Sequence, residues 1–136
     1  MPRYAPYGFV RKVINLYAPL PTGTSQVVVV LSLPVGRCVL ERMEVVPAVA
    51  GTGVGATQTL TAWKGGASNT VVATANPTLA NMGVVGTRLA GTVTASTASF
   101  EDTDTLSIEF VAGGVAFTAG AVNIVLTFRE RPQAAA

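Results

Sequence analysis

An acidic cluster, Glu101, Asp102 and Asp104, offers residue types that could bind a metal ion. Carboxylate oxygens at such short spacing can begin a calcium site, but Ca²⁺ requires six to eight oxygen ligands. The twelve-residue pattern of an EF-hand is absent, because no suitably placed acid follows. The spacing therefore favours a solvated turn in which Asp104 caps the start of the next strand. A calcium-stabilised adhesion domain is the rival interpretation, and no metal site is predicted.

Trp63 follows three threonines at alternate positions: Thr57, Thr59 and Thr61. In a strand these four side chains share one face, and an indole ring on such a face can stack on a sugar. A single tryptophan beside Lys64 is more typical of a core or rim residue at the end of a strand. Both interpretations stay open, and the structural one is favoured over a carbohydrate-binding module.

The stretch Gly51-Thr-Gly-Val-Gly55 resembles part of a glycine-rich phosphate loop. Such a loop functions only between a strand and the N-terminus of a helix. Here Ala56-Thr-Gln-Thr follows, and no long helix is predicted. A wide turn is the better interpretation.

Catalysis has no candidate constellation. The chain contains no histidine, and its single cysteine, Cys38, can form neither an internal disulfide nor a Cys/His pair. Glu41 and Glu44 are predicted on opposite faces of a strand, so we do not expect them to act as an acid/base pair. The sequence therefore predicts that the protein is not an enzyme and uses no cofactor.

Charge is scarce: 12% of the residues are charged and the net charge is +2, whereas 49% are hydrophobic. Soluble proteins usually carry about 25% charged residues, and apolar patches on a surface poor in charge often mark interfaces. The composition predicts an assembling subunit; the alternative is a sandwich with a thick core and a Thr/Ser-rich surface. The basic residues form small groups only at Arg11-Lys12 and at Arg129 and Arg131, so no nucleic-acid partner is predicted.

Neither a membrane span nor a signal peptide is predicted. The longest apolar run, Val27 to Leu31, is far shorter than the ~20 residues of a membrane helix. The N-terminus lacks the apolar core of a signal peptide. We therefore expect a protein made in the cytoplasm, with no membrane partner.

The elements that must position these residues are strands. Apolar and polar residues alternate from Leu106 to Ala112 and again from Val122 to Arg129, which is the strand period. Strands are predicted at residues 10–18, 25–33, 38–46, 57–64, 69–75, 88–96, 104–112 and 122–129. A helical turn is predicted only after Pro77. The pattern predicts an all-β fold, an antiparallel β-sandwich of jelly-roll type with about eight strands.

A single domain at residues 10–130 is predicted, between an extended N-terminal arm at residues 1–9 and a short C-terminal tail at residues 131–136. The arm contains two prolines and three aromatic residues: Tyr4, Tyr7 and Phe9. These aromatic side chains either anchor the arm on a neighbouring surface or fold back over their own sandwich.

The run from Val27 to Leu31 is apolar on both sides. It is predicted to be either a central strand covered on both faces or a strand covered by a partner. Val28 and Val30, together with the three arm residues, are therefore candidate contacts with a second subunit or a larger assembly.

Two stretches of the sequence resemble small structural proteins of tailed bacteriophages. Asp102-Thr-Asp-Thr-Leu-Ser-Ile-Glu-Phe-Val-Ala-Gly-Gly, followed by Thr118-Ala-Gly-Ala-Val-Asn-Ile-Val-Leu-Thr-Phe-Arg, resembles their closing hairpin. Ser32-Leu-Pro-Val-Gly-Arg-Cys-Val-Leu-Glu-Arg-Met-Glu-Val-Val-Pro resembles their first half. The resemblance extends from residue 25 to residue 129 as a general sequence pattern, with no motif that transfers a functional residue.

The chain is most similar in this sense to head decoration (auxiliary capsid) proteins. The resemblance implies a homotrimer on the outer capsid surface of the virion that cements neighbouring copies of the major capsid protein. The arm fits such a protein, because decoration proteins often reach an adjacent subunit through a terminal arm. Tail and head–tail connector proteins share the same sequence pattern, so they are the alternative that the resemblance leaves open.

Overall fold

The computed structural model describes residues 11–22, 25–31, 37–65, 70–112 and 115–131, with the backbone alone at 25–31 and 111–112. Ten strands form two antiparallel sheets that pack as a β-sandwich, so the all-β prediction is confirmed. The strands are β1 (Arg11–Pro19), β2 (Ser25–Leu31), β3 (Cys38–Thr52), β4 (Gln58–Lys64), β5 (Thr70–Ala75), β6 (Leu89–Ala90), β7 (Thr92–Val93), β8 (Ser99–Phe100), β9 (Leu106–Ala112) and β10 (Ala119–Glu130).

The first sheet has the strand order β1-β10-β3-β6, and β8 pairs with the start of β3. The second sheet has the order β2-β9-β4-β5-β7. The predicted helical turn after Pro77 is present as α1 (Leu79–Met82), and a 3₁₀ turn covers Ala95–Thr97. Within the described residues, no helix is long and apolar enough to cross a membrane.

The core lies between the two sheets and follows from the alternation of each strand. On β10 the inward residues Val122, Ile124, Leu126 and Phe128 are fully buried, and the residues that alternate with them from Asn123 onward are partly exposed. The rings of Phe128 and Phe100 meet edge-on, with centroids 5.9 Å apart and an interplanar angle of 76°. Such a pair stabilises the fold by about 0.5–1.5 kcal/mol beyond the contribution of the apolar area that it buries.

Lys64 joins the two sheets at one end of this core. Its Nζ donates a hydrogen bond to the carbonyl oxygen of Ser99 and lies 5.2 Å from the centroid of the Phe100 ring. Lys64 belongs to β4 of the second sheet, and Ser99 belongs to β8, which pairs with the first sheet. The contact therefore links the two sheets beside the Phe100 ring.

Strand β3 is longer than predicted, because it continues through Pro47 to Thr52. The Pro47 carbonyl oxygen accepts a hydrogen bond from the N–H of Gly86, on the side of β3 away from β10. The missing N–H of the proline points to that same side, where no ladder with a strand is interrupted. The predicted end of this strand at residue 46 is therefore wrong.

The strand predicted at residues 88–96 is divided between the sheets at Gly91. Leu89 and Ala90 pair with β3 in the first sheet, and Thr92 and Val93 pair with β5 in the second. A side chain at Gly91 would meet the carbonyl oxygens of Thr74 and Met43 at 2.9 and 3.1 Å. Only a residue without Cβ permits this crossing, which a period-two pattern cannot reveal.

The two terminal strands do not form the hairpin that the resemblance implies. Strand β9 pairs with β2 and β4 in the second sheet, whereas β10 pairs with β1 and β3 in the first. Consecutive strands of like pattern therefore lie in opposite sheets.

Strand β2 is the outermost strand of the second sheet within the described residues, paired with β9. The prediction of a central strand is wrong, and only the alternative of a strand covered by a partner stays a prediction. Val28 lies at a register shift between Val27 and Val29. The N-terminal arm and residues 132–136 of the tail lie outside the described residues.

Candidate interaction surface

Among the residues that the structure describes, the charged side chains are confined to one part of the sandwich. No Asp, Glu, Lys or Arg occurs at residues 45–63, 70–87 or 115–128. These ranges include the loops at residues 53–57, 76–87 and 115–118, which connect the strands at one end of the sandwich. We call this part the uncharged end and define it by its five exposed valines: Val49, Val54, Val84, Val85 and Val115.

Backbone hydrogen bonds hold the loops of the uncharged end against one another. The N–H of Thr57 donates to the carbonyl oxygen of Val115 at 3.0 Å, and the N–H of Leu79 donates to Ala56 at 3.1 Å. The N–H of Thr118 donates to Thr52 at 2.7 Å. Two of these bonds join residues 52–57 to residues 115–118, and the third joins residues 52–57 to the loop at 76–87, so the loops form one continuous surface.

The exposed valines of this surface sit beside buried anchors. Val54 is 94% exposed at the tip of a turn in which the N–H of Ala56 donates to Gly53. Val84 and Val85 are 64% and 58% exposed and follow the fully buried Met82. Val115 precedes the buried Phe117. The hydrogen-bonded turn and the buried neighbouring residues hold the backbone in place, so these valine side chains stay exposed at the surface.

Two glycines allow the close approach of the segments below these tips. Gly120 has φ of 125°, and a Cβ there would lie 2.7 Å from the Cα of Gly51 and from a methyl of Leu20. Gly51 is itself packed on Leu20 and the Phe117 ring. The crossing of β3 and β10 at this end therefore requires residues without side chains.

At the opposite end of the first sheet, ion pairs engage the basic residues that the sequence grouped at Arg11-Lys12 and Arg129. Glu41 accepts a hydrogen bond from Arg11 at 2.9 Å and lies 3.5 Å from Arg129, and Lys12 lies 2.7 Å from Glu130. A phosphate backbone would have to compete with these carboxylates.

Glu41 and Glu44 lie on the same outward face, and the prediction of opposite faces is wrong. The register with β10 shifts between Thr127 and Phe128, which inserts Glu41 as an extra residue of β3. Such a bulge reverses the alternation that follows it. Glu44 contacts Arg88 at 3.0 Å, so the two carboxylates serve different cations.

The acidic cluster forms a turn tied to the end of β10. The carboxylate of Asp104 accepts a hydrogen bond from the N–H of Glu101 at 2.7 Å. Glu101 pairs with Arg131 and lies 3.4 Å from Arg37, and Arg131 also donates to the Phe100 carbonyl oxygen. Within the described residues, no group of three or more acidic, cysteine or histidine side chains could hold a metal ion.

Trp63 lies on the outward face of the second sheet, opposite Ser107 on β9. Trp63 is only partly exposed, Thr59 shares its face, and Thr61 is 6% exposed. Thr57 lies outside β4 and pairs with Thr78 in an isolated bridge. The Trp63 Nε1 and Ser107 Oγ atoms are buried, with no hydrogen-bond partner within the described residues. The predicted row is therefore brought together only in part.

Cys38 is fully buried at the start of β3. Burial raises the pKa of its thiol, with a smaller opposing effect from the nearby cations Lys12 and Arg131. A thiol held neutral in this way is a weak nucleophile. Cys38 therefore serves as a small hydrophobic residue of the core.

The arm residues Tyr4, Tyr7 and Phe9 lie outside the described residues, and the side chains of Val28 and Val30 are likewise not described. Sequence reasoning missed the exposed valines of the uncharged end. For four of the five, the signal was a valine next to glycine, in Gly53-Val-Gly55, Gly83-Val-Val-Gly86 and Gly114-Val115. Glycine permits the turn, and the valine then has no strand neighbour to cover it.

The fold and this surface define an antiparallel β-sandwich with an apolar, uncharged end. Comparison with protein-family models, curated proteins and solved structures found no match to this chain.

Proposed function

We propose that the protein is a structural virion protein that binds and stabilises the capsid shell of a tailed bacteriophage, docking by its uncharged end on the major capsid protein. The uncharged end is the observation that supports this proposal. A rigid surface with exposed valines and no charge suits a protein partner with an apolar face. It suits neither a phosphate backbone nor a charged substrate. The phage assignment rests on the resemblance of residues 25–129.

The energy of such docking is apolar. The exposed fractions of the five valines amount to about three whole side chains. Burial of a valine contributes about 1.5–3 kcal/mol, so full coverage contributes at most about 5–9 kcal/mol. Loss of translational and rotational freedom opposes association by a comparable amount. Each copy therefore binds modestly, and the stability of a decorated shell comes from many copies acting together.

The sandwich is proposed to be of jelly-roll type. Four antiparallel pairings are nested along the chain: β1 with β10, β2 with β9, β3 with β6, and β4 with β5. A long hairpin that rolls up on itself gives this nesting, and the two sheets then have the strand orders found here. If β6 and β7 are counted as one strand crossing between sheets, and β8 as a short bridge, eight strands take part. Jelly rolls of eight strands are common in capsid proteins.

A binding experiment with purified capsid shells tests the docking proposal. Val84→Asp adds a charge to the uncharged end at a site that is 64% exposed, so the fold should tolerate it. We expect at least a tenfold loss of binding to shells. Thr103→Asp is the control, because Thr103 is exposed in the acidic turn before β9, away from the uncharged end. Equal binding of both variants and the wild type would refute docking by the uncharged end.

A tail or head–tail connector component is the alternative function. The same apolar docking would then be to another virion protein. Binding of the labelled protein to purified tails, with no binding to shells, would select this alternative. Within either function, the described residues contribute contact and no chemistry.

A further inference from the structure

Strand β1 has apolar side chains that the sandwich leaves partly uncovered. Val13 and Tyr17 are each 63% exposed on its outward face. Ile14 and Leu16 on its inward face are only partly buried, although Ile124 and Leu126 beside them are fully buried. Within the described residues, β1 pairs with β10 alone and forms one edge of the first sheet.

The hydrogen bonds of β1 can be assigned to sides. The N–H of Leu20 donates to the carbonyl oxygen of Gly120 at 2.9 Å, in continuation of the β1–β10 register. Hydrogen-bonded pairs alternate in an antiparallel ladder. The even-numbered residues of β1 therefore bond to β10, and the odd-numbered residues direct their N–H and C=O groups away from it. Pro19 is odd-numbered, so its missing N–H costs the ladder nothing.

The sequence of β1 is self-complementary about Asn15. In an antiparallel pair of β1 strands centred there, Val13 lies opposite Tyr17 of the second copy, and Ile14 lies opposite Leu16. The two most exposed apolar side chains would cover each other on one face, and the two partly buried ones on the other. The odd-numbered N–H and C=O groups of Val13, Asn15 and Tyr17 would bond to those of the second copy.

Charge selects the antiparallel arrangement. Arg11 and Lys12 occupy one end of β1, and the seven residues from Val13 to Pro19 carry no charge. Antiparallel pairing about Asn15 separates the Arg11 residues of the two copies by roughly 27 Å along the strands. Parallel pairing would place like charges side by side. A pair with two-fold symmetry also occupies the β1 edge of both copies, so this contact forms a closed dimer and does not extend into a fibre.

Strand β2, a terminal strand of the second sheet, is less suited to pairing. Strand β2 has a register shift between Val27 and Val29, and a bulge of this kind disrupts an edge ladder. The ladder of β1 runs from Arg11 to Pro19 with no such shift. Of β1 and β2, the two long terminal strands, β1 is therefore the regular one.

We propose that β1 is a self-association surface, on which β1 of a second copy pairs antiparallel about a two-fold axis at Asn15, giving a dimer in place of the homotrimer that the resemblance implies. The first sheets of the two copies then form one continuous sheet. A single strand pair is narrower than a standard interface of ~800 Å² per partner, so we expect a dissociation constant in the micromolar range. The proposal is independent of docking by the uncharged end.

Sedimentation and amide hydrogen exchange of the full chain test this pairing. We expect a concentration-dependent dimer. Amides of Val13, Asn15 and Tyr17 should become protected as the dimer forms, whereas those of Ile14 and Leu16 should be protected at every concentration. Protection of the odd-numbered amides in the monomer would overturn the proposal, because the chain's own N-terminal residues would then cover the edge. A trimer, or a monomer at the highest concentration, would also overturn it.

Two variants should weaken the dimer at least tenfold. Asn15→Pro removes a donor that faces away from β10, a position where an edge strand tolerates proline. Val13→Lys adds a charge to the paired face. It leaves the backbone donors unchanged, so it tests the pairing independently if Asn15→Pro fails to fold. Val84→Lys is the control of equal exposure at the uncharged end, and it should leave the dimer intact. Unchanged dimerisation of Asn15→Pro and Val13→Lys, with native melting temperatures, would refute the pairing.

Discussion

At Gly120 the addition of a single methyl group should strongly destabilise the uncharged end. Its φ of 125° lies outside the left-handed region near +57° that other residues reach. A Cβ at this position would lie 2.7 Å from the Cα of Gly51, a backbone atom that cannot move aside as a side chain does. Gly120→Ala therefore combines backbone strain with a clash.

The magnitude follows from these two contributions. Backbone strain at such a φ costs about 1–3 kcal/mol, and overpacking costs about 1–3 kcal/mol more. Gly55→Ala is the matched control, because Gly55 has φ of 73° and nothing lies within 4 Å of the added methyl. Strain alone should cost that variant about 1–2 kcal/mol. Gly120→Ala should thus lose roughly 1–4 kcal/mol more.

Thermal unfolding followed by circular dichroism measures the difference. For a chain of this size, 1 kcal/mol corresponds to a shift of roughly 4 °C in Tm. We expect Gly120→Ala to melt at least about 4 °C below Gly55→Ala, and to bind capsid shells more weakly because the loops of the uncharged end lose their fixed arrangement. Equal melting temperatures for the two variants would refute the packing described at Gly51 and Gly120.

Three further outcomes are expected. Stripped shells should rebind the protein nearly as well at 1 M salt as at 0.1 M, because apolar contacts are not screened; release by moderate salt would indicate instead that Arg11, Lys12, Arg129 and Arg131 make the contacts. Deletion of residues 1–9 should leave Tm nearly unchanged and weaken assembly, and a large fall in Tm would mean that the arm packs on its own sandwich. Cys38 should resist alkylation until the protein unfolds. Because burial raises the pKa of this thiol, stability should fall as pH rises above the unfolded value of about 8.5, and a flat stability profile there would contradict the burial.

The sequence predicted the class of fold and most strands, because period-two alternation reflects the one-sided burial of each strand. It could not assign strands to sheets, since residues 104–112 and 122–129 have the same pattern in either sheet. The bulge at Glu41 and the crossing at Gly91 depend on contacts with distant strands. The uncharged end could not be predicted for the same reason, because its three loops are far apart in the sequence and only the fold brings them together. Glycine-flanked valines marked those loops, but the signal is interpretable only once the loops are known to be neighbours.

The pairing of β1 with β10 constrains the order in which the sandwich can fold during synthesis. Strand β1 has β10 as its partner, and β2 has β9 as its neighbour in the second sheet. A ribosome adds about 5–20 residues per second, so the roughly 120 residues from Arg11 to Arg129 take about 6–24 s to appear. The first sheet cannot be completed before β10 has been synthesised, whereas the last strand of the second sheet, β9, ends earlier, at Ala112. Strand β1 is therefore synthesised long before its partner β10, and the first sheet can assemble only after β10 has emerged.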